Sequence, residues 1–187
     1  MKEELKQSFI KSFPIKGKFK NKPYIILYDA FTGMGKSTVS KLIQKYDNSV
    51  IINNDEIRNW LNDYSDETNS KTILQKYRLE RLIENNISCI VDSCFSHNWK
   101  EKKKYYDELG IKYYVIRLVC DELIIGERLN KRILNNDNYS IANYNDYLWM
   151  KDNVEKVDDD LIDFTIDTTL DIEEQVRNFI SKYNIEC

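Results

Sequence analysis

A chain of 187 residues predicts one compact domain, able to bury about 70% of its unfolded surface. Its 42% hydrophobic and 32% charged residues exclude the disordered class, and no apolar run approaches the roughly 18 residues of a membrane span. The net charge of −3 excludes a general polyanion binder, and four cysteines without zinc spacing beside a single histidine, His97, exclude a structural zinc site and a Ser-His-Asp hydrolase.

The start of the chain carries no charged-then-apolar leader, because Glu3, Glu4 and Lys6 interrupt it. With unpaired cysteines, this sets the expectation of a reducing cytoplasm. Leu5, Phe9, Ile10 and Phe13 recur at helical spacing and predict an amphipathic helix over 2–13. Residues 1–22 hold seven lysines against two glutamates, a net of +5, which leaves −8 for the remainder. This segment is expected to be a basic arm and linker, solvated or touching a phosphate backbone, ahead of a domain over 23–187.

Residues 24–28 form a continuous apolar run, the pattern of a strand buried on both faces of a parallel sheet. Further strands are predicted over 50–53, 87–92, 113–119 and 164–167. Helices are predicted over 36–46, 57–62, 71–85, 99–109, 122–134, 145–157 and 172–183. Gly110 stands at a helix C-terminal cap, and Asp171 with Glu174 reads as a capping box. Regular alternation of strand and helix predicts an α/β fold around a central parallel sheet.

Two of the chain's five glycines, Gly33 and Gly35, fall in the loop Ala30-Phe-Thr-Gly-Met-Gly-Lys-Ser37, followed by Thr38. The loop follows the first buried strand and opens a helix, the context a phosphate-binding Walker A loop requires. Amides of Thr32, Gly33, Met34 and Gly35 turn inward there as a nest for phosphate, and the helix N-terminus adds its own donors. Lys36 reaches the β- and γ-phosphates of ATP and Ser37 offers a hydroxyl to Mg²⁺, while Thr38 approaches the α-phosphate. Ala30 replaces the first glycine of the usual pattern.

No D-x-x-G stands after a later strand and no N-K-x-D motif is present, which excludes a GTPase. The second strand ends in Asn53-Asn-Asp55-Glu-Ile-Arg58. A carboxylate at this strand end lies beside the phosphate loop, where Asp55 can take a proton from an attacking hydroxyl. Arg58, three residues on, shares its helical face and suits an acceptor phosphate.

The phosphate loop, the Asp-x-x-Arg step and the apolar strand ending in Asp92 together resemble the polynucleotide 5′-kinase branch of the P-loop kinases. They are also similar to the zeta-toxin and adenylylsulfate kinase relatives. The resemblance implies a three-layer P-loop NTPase fold, nucleoside-kinase-like, with a helical lid. It assigns Asp92 to the acceptor pocket or a metal-bound water, and it assigns Arg128 and Arg132 to a lid helix that reaches the donor phosphates. The polar stretch over 135–145 then reads as the mobile lid. Trp60, Tyr64, Tyr77, Arg78, Arg81, His97 and Trp99 are candidates for the acceptor side.

The expected function is transfer of the ATP γ-phosphate, with Mg²⁺, onto a hydroxyl, foremost a polynucleotide 5′-hydroxyl. The alternative acceptor is a small nucleotide-like or sugar molecule. A second alternative is a nucleotide-binding regulator or toxin component docking through an exposed N-terminal helix. No membrane partner is expected.

Overall fold

The computed structural model describes residues 3–62, 70–135 and 142–185; Tyr64 and most of the predicted lid lie outside them. Five strands form one parallel sheet: β1 (Tyr24–Asp29), β2 (Val50–Asn53), β3 (Cys89–Cys94), β4 (Lys112–Val119) and β5 (Phe164–Asp167). Their spatial order is β2-β3-β1-β4-β5, so β1 is central and β2 is an edge. The apolar runs form these strands because helices cover both faces. Ile25, Ile26, Leu27 and Tyr28 are all essentially inaccessible.

The helices are α1 (Glu3–Ser12), α2 (Lys36–Asp47), α3 (Asn54–Asn62), α4 (Ser70–Glu84), α5 (Trp99–Glu108), α6 (Glu122–Leu134), α7 (Tyr144–Asn153) and α8 (Ile172–Lys182). One core layer joins the sheet to α2 and α8 through Val39, Ile43, Val176 and Phe179. The opposite layer joins it to α1, α3, α4 and α5 through Phe9, Ile57, Leu74, Leu82 and Tyr106. None of the described helices is long and apolar enough to cross a membrane.

The N-terminal segment differs from the expected solvated arm. Phe9 is fully buried, with its ring 4.8 Å from Phe13 and 5.2 Å from Trp60, and the Trp60 indole donates to the Ser12 hydroxyl at 3.0 Å. Beyond the helix, Phe19 bridges Ile87 antiparallel and the Lys20 amide donates to the Asn86 carbonyl at 2.8 Å. Residues 3–22 are therefore continuous with the body over 23–185, and α1 offers no free apolar face for docking. The apolar spacing was legible; the indole that covers it was not. Phe9→Ala is expected to cost about 3–5 kcal/mol, as for other buried aromatics, read as a lowered denaturation midpoint in urea.

Helix α7 ends four residues before the predicted limit. Val154 is already extended, because the chain must cross to β5, burying Val157 in the main core on the way. Gly110 adopts a φ of +65°, as its capping role requires. The Asp171 side chain accepts from the Glu174 amide at 3.0 Å. A capping box that the sequence reading missed opens α7, between Asn143 and Asp146.

Candidate active site

The phosphate loop leaves the C-terminal end of the central strand and turns into α2. Gly33 and Gly35 have φ of +77° and +96°, values that L side chains avoid. A Cβ on Gly33 would stand 2.8 Å from Ile125 and 3.0 Å from Leu129; one on Gly35 would stand 3.2 Å from Thr168. The loop's apolar residues anchor it, since Phe31 and Met34 pack against Ile125, Leu129 and Tyr147 of α6 and α7. Ala30, in place of the usual first glycine, is buried.

Below the loop, Asp29 is clamped. It accepts from Arg117 Nε at 2.6 Å and from the Ser96 hydroxyl. Arg117 also donates to the Val157 carbonyl at 2.7 Å and to Asp159. One guanidinium thus ties the end of β1 to β4 and to the segment after α7, which holds the loop's base in place.

The Lys36 ammonium donates to the Phe31 carbonyl at 2.6 Å. Desolvation holds it below the usual lysine range, against the opposing pull of Cys94, Asp92 and Asp55. Asp92, at the end of β3, is 7% exposed. Desolvation raises its carboxyl above the usual range; the nearby Ser37 hydroxyl, Lys36 and Arg132 act against this, while Asp55 adds to it.

Asn53, which pairs in register with Asp92, links the Asp92 carboxylate to the start of α3. Its Nδ2 donates to Asp92 Oδ2 at 3.1 Å. Its Oδ1 accepts from the amides of Asp55 at 2.7 Å and Glu56 at 3.2 Å, as an N-cap does. Sequence reasoning missed this residue, although Asn at a strand-to-helix junction is the usual capping signal.

Lys36, Ser37, Thr38, Asp55, Asp92 and Arg132 all wall one cleft of about 810 Å³, together with Thr32, Gly33 and Gly35. Met34 turns instead into the apolar cluster. Asn54 and Ser93, sequence neighbours of the two carboxylates, wall a second cavity of about 720 Å³, along with Lys71, Lys102, His97 and Trp149.

Other predicted residues point elsewhere. Arg58 Nη1 pairs with Asp55 at 3.0 Å, and Arg58 walls neither cavity. Arg128 donates to the Thr168 hydroxyl at 2.9 Å and its carbonyl at 2.7 Å, so it holds the residue packed over Gly35 rather than entering the cleft. Trp60 and Trp99 belong to the core. Tyr77 lies under the Lys6 ammonium, and Arg81 pairs with Glu84 at 2.9 Å. Arg78 does wall the phosphate-loop cleft.

A glycine-rich phosphate loop on the central strand of a β2-β3-β1-β4-β5 sheet defines a P-loop kinase fold. The family model described as Zeta toxin matches residues 14–140, and the chain belongs to the zeta toxin family. No curated protein matches it in sequence.

Solved structures of the same fold include the adenylylsulfate (APS) kinase of Mycobacterium tuberculosis, determined with AMPPNP and APS. It has a TM-score of 0.59 and 13% identity over 88% of this chain and 99% of that one. A gluconokinase from Sinorhizobium meliloti has a TM-score of 0.58 and 13% identity over 88% and 92%. A fungal RNA kinase has a TM-score of 0.58 and 16% identity over 86% and 85%.

Proposed function

We propose that the protein is an ATP-dependent phosphotransferase acting on a hydroxyl of a small, nucleotide-like or sugar acceptor. The observation that carries this reading is the convergence of Lys36, Ser37, Asp55 and Asp92 on one cleft. The donor phosphates would lie in the nest of loop amides, with Lys36 exchanging the Phe31 carbonyl for phosphate oxygens. Asp55, fixed by the Asn53 cap and by Arg58, would orient the acceptor hydroxyl and take its proton. Arg132 would neutralise charge on the transferring group. Arg128, through Thr168, is a positioning residue for the loop.

Ser37 and Asp92 fit Mg²⁺, which takes few, hard oxygen ligands and keeps several waters. When bound, Mg²⁺ would offset charge on the phosphates. Asp92 beside Ser37 would be this chain's contribution to holding it.

The small acceptor is favoured because the adjoining cavity of about 720 Å³ has the size of a single-ligand pocket. Among the structural relatives, the gluconokinase and the APS kinase are named for small acceptors. The polynucleotide reading drew on a free basic arm and an available Arg58. The arm packs into the core and Arg58 is engaged by Asp55.

The test is transfer of labelled γ-phosphate from ATP and Mg²⁺ to a panel of sugars, nucleosides, nucleotides, nucleotide sugars and 5′-hydroxyl oligonucleotides. Label on a small acceptor is the expected result. Label on oligonucleotide ends alone would restore the polynucleotide reading, and ATP binding with no label on any acceptor would overturn both.

A further inference from the structure

The phosphate-loop cleft does not end at the catalytic carboxylates. Because β2 is an edge strand, the cleft continues along it from Asn53 to Val50, roughly 10 Å at 3.3 Å per residue. Cations from distant parts of the sequence also wall this cleft: Lys16, which lies by Val50, Lys41 of α2 and Arg78 of α4.

Arg78 is 7% exposed. Its Nε and Nη1 have no hydrogen-bond partner, and it makes no ion pair among the described residues. Its Cζ stands 4.9 Å from the Phe13 ring, which cradles the guanidinium but supplies no countercharge. Desolvation holds the guanidinium below the usual arginine range, against the opposing pull of Glu56, which lines the same cleft. A buried guanidinium without a hydrogen-bonded anion is costly, and an arginine that walls the cleft suits a phosphate-type group.

We infer that the lower end of the cleft is an oxyanion subsite, in which Arg78 donates to, and Lys16 neutralises, a phosphate-type group separate from those held by the phosphate loop. The N-terminal segment is then part of the site, since it contributes Lys16 and positions Arg78 through Phe13. The inference adds a binding determinant to the phosphotransferase reading, but its grounds are burial and charge, which stand whether or not transfer occurs.

The test is calorimetric titration of inorganic phosphate into two forms of the full chain. One is the wild type saturated with Mg²⁺ and a non-hydrolysable ATP analogue, which fills the loop; the other is Lys36→Ala, whose loop is weakened. One phosphate per chain is expected in both. Affinity should fall at least about tenfold in Arg78→Met, as for loss of a charge-assisted hydrogen bond, and by a smaller factor in Lys16→Gln, an exposed position where folding is not at risk.

Arg78→Met should melt at or above the wild type in phosphate-free buffer, because it removes an unpaired buried charge, and should lose the rise in Tm that phosphate gives the wild type. Glycerol 3-phosphate that binds more tightly than phosphate would mark the group as ester-borne, and weaker binding would mark a free anion.

No phosphate bound by either form, or equal affinity in the two subsite variants, would overturn the inference. So would Arg78→Met melting below the wild type without phosphate, since that outcome assigns the arginine to packing on Phe13. Failure of the analogue to bind would count against the phosphotransferase reading alone, because the Lys36→Ala arm does not use it.

Discussion

Asp55→Asn is expected to lower phosphoryl transfer by roughly 10²- to 10⁴-fold, the range for loss of a positioned general base, while nucleotide affinity changes by less than about threefold. The variant is informative because little else rests on the carboxylate. Its side chain is 31% exposed and its ion pair with Arg58 joins two partly exposed groups, a type of pair worth about 0–1 kcal/mol. The Asn53 cap grips the Asp55 amide rather than its side chain, so α3 keeps its start. Single-turnover measurements would separate the chemical step from binding. Retention of more than about a tenth of the activity would move the base assignment to another group. Asp92 and Glu56 are the further carboxylates of the cleft; replacement of Asp92, beside Ser37, should instead change the Mg²⁺ dependence.

The parts of this molecule that were legible in its sequence are those set by short-range physics. Val50–Asn53, Phe164–Asp167 and Glu122–Leu134 have the predicted limits, because an apolar run or helical stripe bounded by turn residues specifies itself. The phosphate loop was legible for the same reason: its glycines, lysine and serine act within one turn of chain.

What escaped depends on partners far apart in sequence. Arg128 and Arg132 are alike by spacing, yet Thr168, 40 residues away, captures the first and leaves the second in the cleft. Lys16 reads as one lysine among seven in a basic segment, and only the path of that segment past the edge of β2 brings it to the phosphate-loop cleft. Arg58 sits three residues from Asp55 and pairs with it, the local outcome its spacing equally allowed. The most informative miss is Asn53, a residue with no charge and no motif of its own, which bonds the Asp92 carboxylate and the Asp55 amide.

Lys36→Met is expected to separate stability from ligand binding. In the wild type, nucleotide at about 100 times its Kd should stabilise the fold by about 2.7 kcal/mol, a rise of several degrees in Tm for a chain of this size. In the variant that rise should vanish and kcat/KM should fall by at least about 10²-fold, as for loss of a preorganised charge donor.

The ligand-free protein should respond differently. The ammonium is held below its usual range by desolvation, so between the folded and unfolded values the unfolded chain binds more protons. Stability then rises with pH through that window, and at neutral pH the charge of Lys36 opposes folding. Loss of the hydrogen bond to the Phe31 carbonyl acts the other way, by about 1 kcal/mol. The two effects offset, so the ligand-free Tm should move far less than the wild type's nucleotide shift, while the lysine's share of the alkaline rise in stability is lost. Thermal unfolding of both proteins with and without nucleotide, from pH 7 into the alkaline range, reads all three quantities. A variant that still gains several degrees with nucleotide would show that the loop amides alone carry the donor site.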